Sequence, residues 1–188
     1  MPGQDYQVRM KLKVLFLILT LNMSLIISAE SFGIVVHGGA GVLSGLSIER
    51  QQEIENKIKD TLISAYKILE DGGSSMDAVE FAVSEFEDST LFNAGKGSVY
   101  NSNEVQEMDA SIMNGADRSA GAVASVQIIK NPIKLARKVL EETDHVLLVG
   151  QGAEIFAEDI EETIVDRSYF YSEKNLKRLK KAKKRISD

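Results

Sequence analysis

The residues with the most chemical potential stand at His37-Gly38-Gly39-Ala40-Gly41, a glycine-rich stretch that could cradle a phosphate, stabilise an oxyanion, or simply permit a tight turn with positive φ. It lacks the Gly-Lys-Ser/Thr of a phosphate-binding loop and the spacing of a dinucleotide fingerprint. It is also similar to an esterase oxyanion loop, but no Gly-x-Ser-x-Gly elbow supplies a nucleophile. The two histidines, His37 and His145, lie 108 positions apart with no carboxylate-rich helix motif, which argues against a zinc site. His145, ahead of an apolar run, reads as an edge histidine rather than a base. The absence of cysteine excludes disulfides, thiolate zinc, a cysteine nucleophile and iron–sulfur clusters.

The elements that must position this loop follow from periodicity. Phe32 to Val36 is a short apolar run feeding the glycines and reads as a strand. Ser47 can cap a helix with Ile54, Ile58, Leu62, Ala65 and Leu69 on one face, stopped by Asp71-Gly72-Gly73. Ser74 can cap a second, with Met76, Val79, Ala82, Val83 and Phe86 on one side. After Asn93-Ala94-Gly95-Lys96-Gly97, strands are expected over 98–101, 107–113 and 121–129, a helix over 133–141 opened by Pro132, a strand over 145–149 and a short helix over 152–158. Strands in succession without helices between them point to an α/β fold with a mixed or antiparallel sheet, not a doubly wound parallel one.

With 188 residues, 44% apolar and 27% charged, the chain is the size and composition of one ordinary globular domain. Arg9, Lys11 and Lys13 precede a 14-position apolar run, Val14 to Ile27, closed by Ser28 and Ala29. That order is the order of a secretory signal peptide, and the run is shorter than the roughly 20 residues of a membrane span. Residues 1–29 are therefore expected to be a leader, with Met10 a possible start, and the protein to be periplasmic or secreted, with no membrane attachment after leader removal. Residues 30–173 carry 26 acidic against 11 basic side chains, a net charge of −15, whereas the last fifteen residues hold eight Lys or Arg and one Asp. The basic tail lacks interleaved aromatics and follows an acidic stretch, so it reads as a solvated helix or linker rather than a nucleic-acid surface.

Seven motifs then occur in order: the glycine loop; Leu69 to Val79; Leu91-Phe92-Asn93-Ala94-Gly95-Lys96-Gly97-Ser98; Glu107 to Gly115; Ala120 to Ala124; Lys130-Asn131-Pro132-Ile133; and His145 to Glu154. Together they resemble the α-subunit of plant-type L-asparaginases, also called isoaspartyl peptidases, over about residues 33–185. The resemblance implies an N-terminal-nucleophile hydrolase fold, a four-layer αββα sandwich of which this chain carries the α-subunit half, with a core over 30–164 and a basic linker over 165–188. It implies hydrolysis of the side-chain amide of asparagine or of β-aspartyl dipeptides by a threonine whose own α-amine serves as base, with no cofactor for the chemistry. The partner would be a β-subunit carrying that threonine, in a dimer of αβ units.

The resemblance also assigns residues. Asn93 matches an active-site support, and His37, Gly38 and Gly39 match a loop associated with self-cleavage. The segment matching Phe86 to Lys96 implies a structural sodium ion held by the main-chain carbonyls of Phe86, Glu87, Ser89, Phe92, Ala94 and Lys96, with Thr90 where a proline is common. Hard cations take oxygen ligands, so carbonyls suit this role. The nucleophile should follow a glycine, yet Thr61, Thr90, Thr143 and Thr163 follow Asp60, Ser89, Glu142 and Glu162. The chain alone is accordingly expected to be inactive. A glycosylasparaginase-type fragment, and a non-enzymatic exported binding module or truncated relic, are the alternatives.

Overall fold

Helix α1, Ile48–Glu70, begins where the Ser47 hydroxyl accepts the Arg50 N–H and ends where the Gly72 and Gly73 N–H groups return to the Leu69 and Ile68 carbonyls. Gly72 takes φ +86°, which explains a glycine at this stop. Helix α2, Ser75–Glu87, opens with a complete capping box, Ser74 and Asp77 each satisfying the other's backbone N–H. The computed structural model describes residues 32–39, 41 and 45–187; the expected leader, residues 1–29, lies outside the described residues. The chain divides after Gly33, and all that follows concerns the unit from Ile34 onward.

Strand β1, Met108–Met113, pairs antiparallel with β2, Ala120–Val126, and β2 pairs parallel with β3, Leu147–Val149, in the order β1-β2-β3. Helix α3, Pro132–Glu142, crosses from β2 to β3; α4, Gly150–Asp159, follows β3; a 3-10 turn, Arg167–Phe170, leads to α5, Glu173–Ser187. Five α-helices and one mixed sheet among the described residues make a mixed α/β fold. None of these helices is long and apolar enough to cross a membrane.

The sheet buries Val123 and Val126 against Ile133, Leu135, Ala136 and Val139 of α3, with Ala153 and Ala157 of α4 and Phe170 completing the cluster. A Cβ at Gly121 would overlap the Ala136 carbonyl, so α3 rests directly on the β2 backbone. A smaller cluster joins Ala65 of α1 to Ala78 and Ala82 of α2.

Two expected strands do not form. Residues 34–36 keep the strand alternation, Ile34 and Val36 packing on the small cluster while Val35 is 95% exposed, but the expected strand over 32–36 has no ladder partner among the described residues. In 98–101 the backbone groups are taken by side chains and a turn: Val99 N–H by Asn93, the Ser98 carbonyl by Gln106, and Asn101 N–H by the Val105 carbonyl. Strand β2 stops at Val126 instead of Ile129, because Ser125 has φ +54° and gives its N–H to Asp109, leaving Ile129 a lone bridge to Ile164. The segment expected as a linker buries Phe170 and carries α5.

Arg137 of α3 ties the helices together, bonding Asp77 at 2.8 Å, Glu80 at 3.0 Å and Glu141 at 2.6 Å. The Ser74 hydrogen bonds, and then Arg137, hold the Asp77 carboxyl at about 2, below its ordinary 3.8. A lowered carboxylate pKa stabilises the native state above the unfolded value, and that contribution disappears as pH falls through the folded one. Asp77→Asn should therefore lower the melting temperature at neutral pH and flatten the acid limb between about pH 4 and 2, the two proteins converging below it; an unchanged acid limb would contradict this account.

Candidate functional site

The end of α2 builds the site. Its last residue, Glu87, is 3% exposed, and its Oε1 accepts the Ile133 N–H at 3.0 Å, capping α3 where Asn131 makes no side-chain cap. Burial pushes this carboxyl up to about 8, so it is held as the neutral acid, and its Oε2 has no partner. The next residue, Asp88, accepts from Lys130 at 3.0 Å and Asn131 at 3.1 Å. Lys96 lies 5.0 Å from the centroid of the Tyr169 ring, a cation–π contact across the loop.

Between these anchors the chain folds back on itself. Gly95, at φ +47°, presses on the Glu87 backbone so closely that a Cβ would overlap the Glu87 carbonyl oxygen and stand 2.7 Å from its Cα. A Cβ at Gly97 would overlap the Phe92 carbonyl oxygen and stand 2.9 Å from that of Ser89. Three of the six expected sodium ligands, the carbonyls of Glu87, Ser89 and Phe92, thus converge on one Gly-Lys-Gly turn. The Phe86 and Ala94 carbonyls accept the Ser89 and Gly97 N–H groups, and each keeps a second lone pair. The oxygens of this cradle are main-chain, the type of donor a hard cation takes; no cluster of three or more His, Cys, Asp or Glu able to hold a metal occurs among the described residues.

The glycine loop meets the same turn. A Cβ at Gly38 would stand 3.0 Å from the Phe92 ring and 3.2 Å from Ile58, so the loop lies on the aromatic that precedes Asn93. Gly39 takes φ +94°, and its N–H donates to His37 Nδ1 at 3.1 Å. That bond assigns the ring's Nδ1 as acceptor and its Nε2 as the N–H, so His37 shapes the turn.

Two adjoining cavities result. One, of about 550 Å³, is lined by Asn93 with Thr90, Gly97, Ser172 and Asn175. The other, of about 460 Å³, is lined by His37, Gly38 and Gly39. Arg50, Phe92, Lys174 and Arg178 belong to both. Asn93 Oδ1 accepts the Val99 N–H at 2.9 Å, which leaves its amino group as the donor end. The hydroxyl of Ser172 accepts the Asn175 N–H, and the Thr143 hydroxyl meets His145 at that residue's backbone N–H and carbonyl. Thr61 is buried, Thr143 donates to the Val139 carbonyl, and Thr163 lies at the Lys130 bridge. The site can orient and polarise a carbonyl group; a nucleophile–base pair is not among its described parts.

A family model described as asparaginase matches residues 30–187. The chain belongs to the asparaginase family. It is 48% identical over 153 residues to the isoaspartyl peptidase/L-asparaginase of Mus musculus, covering 81% of this chain and 46% of that protein. The Homo sapiens protein of the same name is 47% identical over 150 residues, 80% of this chain and 48% of its own. The plant-type L-asparaginase of Pyrococcus horikoshii is 50% identical over 124 residues, 66% of this chain and 40% of its own. The chain spans about half the length of the curated relatives it matches.

The residues named one by one from the sequence, His37, Gly38 and Gly39 on one side and Asn93 with the loop from Phe86 to Lys96 on the other, lie on either side of Phe92 in the structure. Sequence reading missed Arg50, which reaches the Thr90 carbonyl at 3.4 Å from 40 residues away, and Gln106 and Asn175, whose amides bond to backbone far along the chain. No spacing rule marks such contacts.

Overpacking at a backbone contact costs about 1–3 kcal/mol, and a positive φ adds to that. Gly95→Ala should lower stability by about 3 kcal/mol in urea unfolding, whereas Gly115→Ala, which meets nothing within 4 Å, should stay within about 0.5 kcal/mol. Equal stabilities would remove the cradle as a structural requirement.

Proposed function

We propose that this chain is the α-part of an amidohydrolase that cleaves the side-chain amide of asparagine or the β-linkage of β-aspartyl dipeptides, in the four-layer αββα arrangement of N-terminal-nucleophile hydrolases. The observation that carries the reading is the meeting of Asn93 and the His37-Gly38-Gly39 loop across Phe92, beside cavities large enough for an amino-acid amide or dipeptide. The names of its relatives favour the same substrates.

The nucleophile is supplied by polypeptide outside these 188 residues: an N-terminal threonine whose hydroxyl attacks the carbonyl while its α-amine accepts the proton. None of the threonines within the described residues has a free α-amine or follows a glycine. Asn93 donates its amino group to substrate or to the developing oxyanion, and the glycine loop brings backbone close to the scissile region. The partner is a β-subunit, assembled as a dimer of αβ units. A sodium ion at the carbonyls of Phe86, Glu87, Ser89, Phe92, Ala94 and Lys96 would hold the loop that presents Asn93; its contribution is to geometry. The protein is exported to the periplasm or beyond by residues 1–29, so a recovered exported chain should begin near Glu30 by intact mass.

The test is reconstitution. The 188-residue chain alone should release no ammonia from asparagine, and the same chain co-produced with the part of the murine relative that it does not cover should do so. Asn93→Ala should lower kcat about 100-fold, the scale of one lost oxyanion donor, and exchange of sodium for choline should lower the melting temperature. Hydrolysis by the chain alone would overturn the missing nucleophile, and a co-purifying pair that cleaves neither substrate would overturn the assigned activity.

A further inference from the structure

The amide of Asn93 is aimed by one peptide group. Its Oδ1 accepts the Val99 N–H, and the carbonyl of the same planar unit is that of Ser98. Rotation of that plane would carry the N–H away from Asn93, so whatever holds the Ser98 carbonyl also holds the side-chain amide.

Two side chains hold it. Asn175, on the first turn of α5, donates through Nδ2 to the Gly97 and Ser98 carbonyls, both at 3.1 Å. Gln106, 7% exposed, donates through Nε2 to the Ser98 carbonyl at 2.8 Å and to the Phe170 carbonyl at 2.7 Å, joining the same peptide to the segment that leads into α5. Ser98 itself is 4% exposed, which limits replacement of these donors by water. Donation to a peptide carbonyl also polarises its N–H, strengthening the bond it makes on the far side. The backbone N–H of Asn175 goes to Ser172 Oγ, which fixes the residue at the helix start, whereas the Ser172 N–H goes to the Tyr100 hydroxyl at 3.2 Å, a contact of the same segment that does not touch Asn175.

We infer that Asn175 is a positioning residue for Asn93: through the Ser98–Val99 peptide it fixes which end of the Asn93 amide faces the cavity. This rests on the proposed role of Asn93, and it makes the start of the basic helix α5 a working part of the site rather than a solvated tail. An Asn93 amide free to turn would present its carbonyl oxygen to an incoming carbonyl or oxyanion, which repels where the amino group attracts.

The experiment uses the full 188-residue chain, labelled with ¹⁵N, and amide hydrogen exchange. In Asn175→Ala the Val99 N–H should exchange about tenfold faster, the scale of one hydrogen bond lost from a pair, and the Asn93 side-chain amide signals should shift. The Val123 N–H in β2 should be unaffected. Tyr100→Phe removes the acceptor for Ser172 but leaves the Ser98 carbonyl bonded, and should leave Val99 unchanged. If Asn175→Ala does not fold, Asn175→Asp keeps the volume, removes both donors and is read the same way. Unchanged Val99 exchange and Asn93 signals would overturn the inference, as would equal acceleration in Tyr100→Phe, which would reduce Asn175 to helix docking. None of these readouts requires hydrolysis, so they stand or fall separately from the assigned activity. In a reconstituted enzyme that turns over, Asn175→Ala should lower kcat with KM unchanged.

Discussion

The approach of Gly95 and Gly97 to the carbonyls of Glu87, Ser89 and Phe92 is the contact on which the site depends. A single Cβ at either glycine would force the loop off the end of α2. That end is occupied on its other side as well, because the Glu87 carboxyl caps α3 and Asp88 takes Lys130 and Asn131. The loop, α2 and α3 therefore meet at one corner, and α3 lies on the sheet through Gly121. Through these contacts the three-stranded sheet supports the loop that presents Asn93.

Burying Glu87 carries a cost that its position explains. A carboxyl inside the core loses hydration and is held neutral, with one oxygen unpartnered. In exchange the first turn of α3, which has Pro132 and no side-chain cap of its own, gains an acceptor. Asp77 takes the opposite course: exposed to water, bonded by Ser74 and Arg137, it stays ionised and joins α2 to α3 from outside. The two carboxyls of one helix thus anchor the same neighbour by different chemistry.

Polar side chains do the remaining positioning. Residues 98–101 have strand-like composition, yet their backbone groups bond to Asn93, Gln106 and Asn175 and to the Val105 carbonyl instead of to another strand. This makes the segment a support for the cavity wall. The first two turns of α5 close that wall, bringing Lys174 and Arg178 beside Asn93 and the glycine loop.

Local chemistry was legible in the residues. Ser47 and Ser74 cap helices because their hydroxyls reach the first free N–H groups, Asp71-Gly72-Gly73 stops α1 because Gly72 accepts a left-handed φ, and the apolar spacing of α1 and α2 marks both as helices, although in α2 Ala78 is buried and Val79 exposed. Seven motifs in order also identified the family. Tertiary structure alone decided which neighbours those residues meet: that 32–36 and 98–101 have no ladder, that Glu87 acts through its carboxyl on α3, and that Asn175 grips a peptide 77 residues back. The physical reason is range. Caps and turns are satisfied within a few residues and leave a signature in order and spacing, whereas a buried amide or carboxyl bonds whatever backbone the fold brings to it.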